Sequence, residues 1–302
     1  MGEVLMWSAI YLATMLLGYV LKRLGVFKLE DKKFLADLIF FVTLPCMLIS
    51  SFTGVTVDLW FLVAIVMGFV ANVLMVCVAM FTSRKKAADL QALYILNGAG
   101  LNLGGITMPF LQNFYPSGIP YMCMFDIGDA SISLGTTYAL ACMRLGKKDE
   151  GSRFKAAVSA LLRSVPFDTY LLMTVITLLG ITLPAPILTF ADFAGRGNGF
   201  LAMLLVGIGL ELHLDRASLK EVVLVLAGRY LCGIIMALII WSTPAPLLMR
   251  QVLVLAVFSP TPSGGLIFTN KLKLRVDIAS ALTPISTVLM IPIMSAIMLL
   301  MG

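Results

Sequence analysis

Three ionisable side chains stand deep inside apolar stretches of this 302-residue chain: Asp126, Asp129 and Arg229. Counted from the ends of their stretches, Asp129 and Arg229 fall near the middle, about 15 Å from either end at about 1.5 Å per helical residue. A charge at that depth in hydrocarbon costs about 2.5–3.5 kcal/mol or more, so each should face a partner or a wet cavity. Asp126 and Asp129 are spaced i, i+3, which puts both carboxyl groups on one helix face. Two neighbouring carboxylates repel when both are ionised. Either one holds a proton, or both ionise around a cation or around Arg229. The chemistry on offer is a proton or Na⁺ site. The structural alternative is an Asp–Arg229 pair that fixes helix packing.

A second set of candidates works through backbone. One apolar stretch carries Asn97-Gly-Ala-Gly-Leu-Asn102-Leu-Gly104-Gly105-Ile-Thr-Met-Pro109, and a later one carries Ser259-Pro260-Thr-Pro262-Ser263-Gly264-Gly265. Proline removes a helical hydrogen bond and glycine loosens the chain, and in hydrocarbon the freed N–H and C=O groups need protein or water partners. Two broken helices in matching positions point to a binding site at the membrane midplane; close helix packing through glycine is the plainer reading. Half-helix N-termini carry partial positive charge that suits a carboxylate. Asn102, Gly104, Gly105, Pro260, Pro262, Ser263, Gly264 and Gly265 are therefore candidate substrate-binding residues.

The elements that hold these groups follow from composition. The chain is 60% hydrophobic and 13% charged with a mean hydropathy of +1.00, against about 45–50% and about 25% in soluble domains. That excludes a cytosolic enzyme, a secreted disulfide scaffold and a disordered chain, and implies an integral membrane protein. Ten apolar segments can be read, at 3–22, 34–53, 58–82, 89–115, 117–143, 159–183, 198–213, 221–242, 250–270 and 275–301. In the first, the basic residues Lys22 and Arg23 follow the apolar run, the wrong order for a cleaved signal, so it reads as a retained span. Alternate connections hold 19 of the 22 Lys and Arg residues; the opposite connections hold only Arg196 and Arg250, and Arg229 lies within a span. By the positive-inside rule the basic connections face the cytoplasm and both termini face outward. The basic clusters thus read as topology signals in a cell membrane, with the lipid bilayer as partner and no nucleic acid. Because five is odd, two similar five-span halves, 1–150 and 151–302, would form an inverted repeat. The expected fold class is an all-α polytopic membrane protein with broken, crossing fourth and ninth spans.

The sequence resembles the auxin efflux carrier family. The residues that carry the resemblance are Leu44-Pro45-Cys46-Met47-Leu48-Ile49-Ser50-Ser51-Phe52, the Asn97…Asn102-x-Gly104-Gly105 run, Phe125-Asp126-x-Gly128-Asp129, and the proline-containing ninth span. The resemblance implies a ten-helix fold similar to that of bile acid–sodium symporters. It implies a scaffold of helices 1, 2, 6 and 7, a transport bundle of helices 3–5 and 8–10, carriage of small organic anions, and a homodimer. It makes Pro45 a candidate lining residue. Dicarboxylates such as malate or malonate, or an indole acid, would be cargo of that class. Where the family often has asparagine late in the fifth-span motif, this chain has Asp129.

Other residues carry less. Asp168 suggests packing or gating; Glu211 and His213, beside Asp215 and Arg216, suggest an interfacial cluster; and Asn72 suggests a hydrogen bond to another helix. The five cysteines and nineteen methionines read as apolar filling without metal spacing. No cofactor, resident metal or nucleotide loop is expected, so energy would come from H⁺, Na⁺ or the cargo's own gradient. The leading expectation is a secondary or facilitative organic-anion transporter that rocks or slides between access states. A cation/proton exchanger using Asp126 and Asp129 is the alternative, and an intramembrane aspartyl protease or a non-transporting sensor is more remote.

Overall fold

The computed structural model describes residues 2–133, 135–146, 165–210 and 215–301, and these are helical with no strand among them. The helices are α1 (Gly2–Arg23), α2 (Asp31–Ser51), α3 (Leu59–Ser83), α4 (Ala88–Gly98), α5 (103–111), α6 (Ile119–Ser133), α7 (Thr136–Arg144), α8 (Val165–Leu178), α9 (Ala185–Gly195), α10 (Asn198–Ile208), α11 (Arg216–Ser242), α12 (Leu247–Ala256), α13 (Ser263–Lys271) and α14 (Val276–Met301). Five of them, α1, α2, α3, α11 and α14, are long and apolar enough to cross a membrane. The chain is thus a polytopic membrane protein.

Both stretches expected to break do so. The 89–115 stretch divides into α4 and α5, and the 250–270 stretch into α12 and α13. In α2 and α5 a widened, π-type turn precedes the proline: Leu44 N–H reaches back to Ile39 O and Met108 N–H to Leu103 O. Pro45 and Pro109 bring no N–H of their own, and the wider turn accommodates the missing bond.

One boundary needs correction. The seventh segment, expected over 198–213, begins earlier, because α9 runs straight into α10. Arg196, expected in a connection, lies at the joint between these helices. Gly195, Arg196 and Gly197 look like loop residues by type. Here Gly195 is buried, and a Cβ there would meet the Met47 backbone at 2.7 Å, so α9 packs tightly across α2. Glu211 and His213 lie outside the described residues.

The tightest pairing that bears on the candidate aspartates is α3 against α6. A Cβ on Gly68 would collide with the Phe125 carbonyl, and one on Gly128 with the Ile65 carbonyl. Small residues let two backbones approach this closely, and adding a methyl at either point would cost about 1–3 kcal/mol. Gly128 is thus the packing member of the Phe125–Asp129 motif, and it fixes where its flanking carboxyl groups stand.

Candidate functional site

The two interruptions meet. Asn102 N–H donates to Pro260 O (3.1 Å), Asn102 Nδ2 donates to Ser263 Oγ (3.0 Å), and Thr107 Oγ1 donates to Ser259 Oγ (2.7 Å). Chain direction explains the breaks. Gly100 adopts φ +79°, a left-handed conformation that ends α4 at little cost only for glycine. Pro260 and Pro262 interrupt the ladder between α12 and α13. The extended 259–262 strip is then tied to α14: Thr261 N–H donates to Ser286 Oγ (3.1 Å), and Thr261 and Thr283 share a hydroxyl hydrogen bond (2.9 Å). Asn97 Nδ2 donates to Thr269 Oγ1 (2.9 Å), joining α4 to α13.

At this meeting point lies a cavity of about 410 Å³. Asn102, just before α5, borders it with Gly104 and Gly105; Pro262, just before α13, borders it with Ser263, Gly264 and Gly265; and Asp126 and Asp129 border it from α6. No side chain caps the N-terminus of α5 or of α13. The first-turn N–H groups of a helix have no partner within the helix, so two uncapped, partly positive ends converge beside one cavity. The remaining wall is mostly apolar: Phe40, Leu44, Leu48, Met108 and Phe167, with Tyr170.

Two candidates stand off the cavity wall. Pro45 is buried within α2, but the wall is formed by Phe40, Leu44 and Leu48. Those three repeat every four residues along one stripe, and Pro45 lies about 100° round the helix from Leu44. Pro260 acts through its carbonyl, which accepts from Asn102 and from Arg229.

Asp126 and Asp129 share α6 yet have different partners. Asp126 accepts a hydrogen bond from Tyr170 Oη (3.1 Å). Asp129, 1% exposed, accepts from Asn72 Nδ2 (2.8 Å) and from Leu101 N–H (3.2 Å) in the α4–α5 break. Asn72 thus bonds a neighbouring helix. Among the described residues no ion pair joins either aspartate to Arg229. Arg229 Nη1 donates instead to the carbonyls of Asn97, Gly98 and Gly100, and Nη2 to those of Ser259 and Pro260.

Tyr170 and the apolar wall are the cavity residues that sequence reasoning missed. Asp168 attracted attention as the charged group of its stretch, but it is exposed on α8, while Tyr170 two residues on is buried. A phenol inside an apolar run needs a partner for its hydroxyl, and that requirement was the available signal. Asp215 sits outside the long helices as N-cap of α11, accepting from Ser218 N–H (2.7 Å). Hydrogen bonds from Ser218 hold its carboxyl below the ordinary aspartate range. Ser218 also bonds Asp277 and Arg275, which pair with each other.

The model of the family described as membrane transport protein matches residues 5–161, more than half of the chain. No curated protein matches it.

Proposed function

The chain belongs to the membrane transport protein family, that of the auxin efflux carriers, whose members are transporters and not enzymes, and on that premise we propose that it carries a small organic anion by alternating access. The observation that carries this reading is the pair of uncapped half-helix N-termini at one cavity, beside the Asn102–Ser263 bond. Neutral donors and helix ends hold a carboxylate without a full counter-charge, so release stays easy. The other ionisable groups on the wall, Asp126 and Asp129, are acidic, and the rest is largely apolar. This favours a cargo with one carboxylate and an apolar body over a dicarboxylate.

The reading includes ten spans in two inverted halves, 1–150 and 151–302, with both termini outward in the cell membrane. α5 and α13 then bring their N-termini to the midplane. The cavity borders Pro166 and Phe167 at the start of α8 and Ile267 on the turn of α13 leading to Lys271, the side of the basic connections. The cavity is therefore open to the cytoplasm. Tyr11 closes the other side by donating to Pro109 O or Phe110 O (3.2 Å each) while accepting from Asn113 Nδ2 (2.7 Å), and Ser8 pairs with Ser295 (2.6 Å). Alternation breaks these contacts as the bundle of α3–α7 and α11–α14 moves against the scaffold of α1, α2 and α8–α10.

A homodimer belongs to the same proposal. In this topology Arg196 lies half-way along the seventh span, and it pairs with Asp192 on the outside of a single copy, its side chain 77% exposed. Charges facing hydrocarbon at that depth are strongly unfavourable, and a second copy would cover them. Cysteine at the adjacent, exposed Phe193, in a background lacking the native cysteines, should cross-link copies within membranes, and its absence from any cross-linked species would sink the dimer.

The carrier reading is tested by melting the detergent-purified protein across a panel of carboxylates, since a ligand at 100 times its Kd adds about 2.7 kcal/mol of stability. Two aspartates on the cavity wall favour one other reading, a cation/proton exchanger with H⁺ or Na⁺ at Asp126 and Asp129. If no carboxylate shifts melting and Na⁺ alone collapses a pH gradient across proteoliposomes, the exchanger replaces the carrier.

A further inference from the structure

We infer that Arg229 is a built-in cation for the helix crossover: its guanidinium fills the place between the ends of α4 and α12 where an alkali ion would otherwise be needed, so that anion binding on the opposite side requires no Na⁺. The last clause rests on the carrier reading; the first does not.

The geometry is specific. Arg229 is 4% exposed, and its fork reaches five backbone carbonyls, at 3.4 Å (Asn97), 3.1 Å (Gly98), 2.7 Å (Gly100), 3.1 Å (Ser259) and 3.1 Å (Pro260). Asn97 and Gly98 close α4, Gly100 follows it, and Ser259 and Pro260 follow the end of α12 at Ala256. Asn97 and Gly98 are last-turn carbonyls of α4, with no partner within it, whereas Gly100, Ser259 and Pro260 are unwound carbonyls just beyond α4 and α12. Each helix C-terminus also carries about half a negative charge, so the two sum to about one, which one guanidinium balances. The nearby carboxylate of Asp129 is engaged elsewhere, by Asn72 and Leu101.

Unwound carbonyls and half-helix C-termini are the ligands with which transporters coordinate Na⁺. Here those oxygens face a cation that cannot dissociate. A planar fork spans both strips at once, whereas a lysine ammonium is a compact point charge that reaches fewer of the five oxygens. The crossover is thereby polarised permanently, with positive ends toward the cavity and neutralised negative ends behind it.

The test uses full-length protein in detergent with no organic anion present, so failure of the carboxylate panel leaves it standing. Arg229→Ala should lower the melting temperature by about 10 °C. Guanidinium or Na⁺ at tens of millimolar should restore several degrees, relative to equal choline, in the variant and not in the wild type. Arg229→Lys should lie between the two. Arg229→Met, which keeps bulk without charge, should melt as low as the alanine variant and, with its cavity filled, respond less to cations. If Arg229→Ala cannot be purified, Arg229→Met and Arg229→Lys decide the matter by their order. The inference is overturned if Arg229→Met melts with the wild type, or if choline restores the alanine variant as well as guanidinium does. A carboxylate that stabilises the wild type only in Na⁺, and not in potassium or choline salts, overturns the second clause.

Discussion

Adjacent glycines at the start of α13 should respond oppositely to the same methyl group. A Cβ on Gly265 would lie 2.6 Å from Leu96 O and 2.7 Å from Asn97 Oδ1. The first is backbone of α4, and the second belongs to a side chain already bonded to Thr269 at 2.9 Å. Reaching ordinary contact at 3.4 Å requires α4 and α13 to part by about 0.8 Å, which stretches the Asn97–Thr269 bond beyond hydrogen-bonding range. Overpacking of this kind costs about 1–3 kcal/mol, and the lost bond about 1 kcal/mol more. The gain from alanine's better helix propensity offsets at most about 1 kcal/mol. The net loss of about 1–3 kcal/mol, centred near 2, lowers melting by about 4–8 °C at roughly 2–4 °C per kcal/mol. A Cβ on Gly264 meets only Phe268, at 3.9 Å, so Gly264→Ala should melt with the wild type or slightly above it. Thermal melting of the two purified variants side by side is the assay. Equal melting of the two, or Gly265→Ala within 2 °C of the wild type, would refute the account of the crossover as a tight backbone contact.

Gly105→Ala places its Cβ 2.6 Å from Asn102 Oδ1, a movable side-chain atom; the amide should turn away from Ser263, leaving melting nearly unchanged while the apparent KM for uptake rises about tenfold. Asp129→Asn should abolish the pH dependence of uptake in proteoliposomes, and a pH dependence that persists unchanged would remove Asp129 from the proton site. Asp215→Ala should lower melting at pH 7 by removing the cap of α11. Because the folded-state carboxyl titrates below its unfolded value, that contribution is present above about pH 4 and lost as pH falls further. The gap between wild type and variant should therefore close in acid, and a gap that widens there would contradict the assignment.

Membrane residence was legible in the sequence, because hydrocarbon admits few residue types over long runs and composition reports that directly. The breaks in the fourth and ninth stretches were legible because proline, glycine and polar residues cluster there; single prolines do not suffice, since α14 runs on through Pro284 and Pro292. The conspicuous Asp126, Asp129 and Arg229 could be picked out because isolated charges are rare in apolar runs. What each one holds could not. Arg229 bonds carbonyls up to 132 residues away in sequence, and every residue has a carbonyl, so no residue type announced its partners. Tyr170 finds Asp126, and Leu44 rather than Pro45 borders the cavity, only because particular helix faces turn toward each other. Arg196 looked like part of a loop until α9 supplied the helix before it. Local chemistry decided which residues are unusual and where the helices fail; packing over long sequence separations decided which of those failures meet, and what fills the space between them.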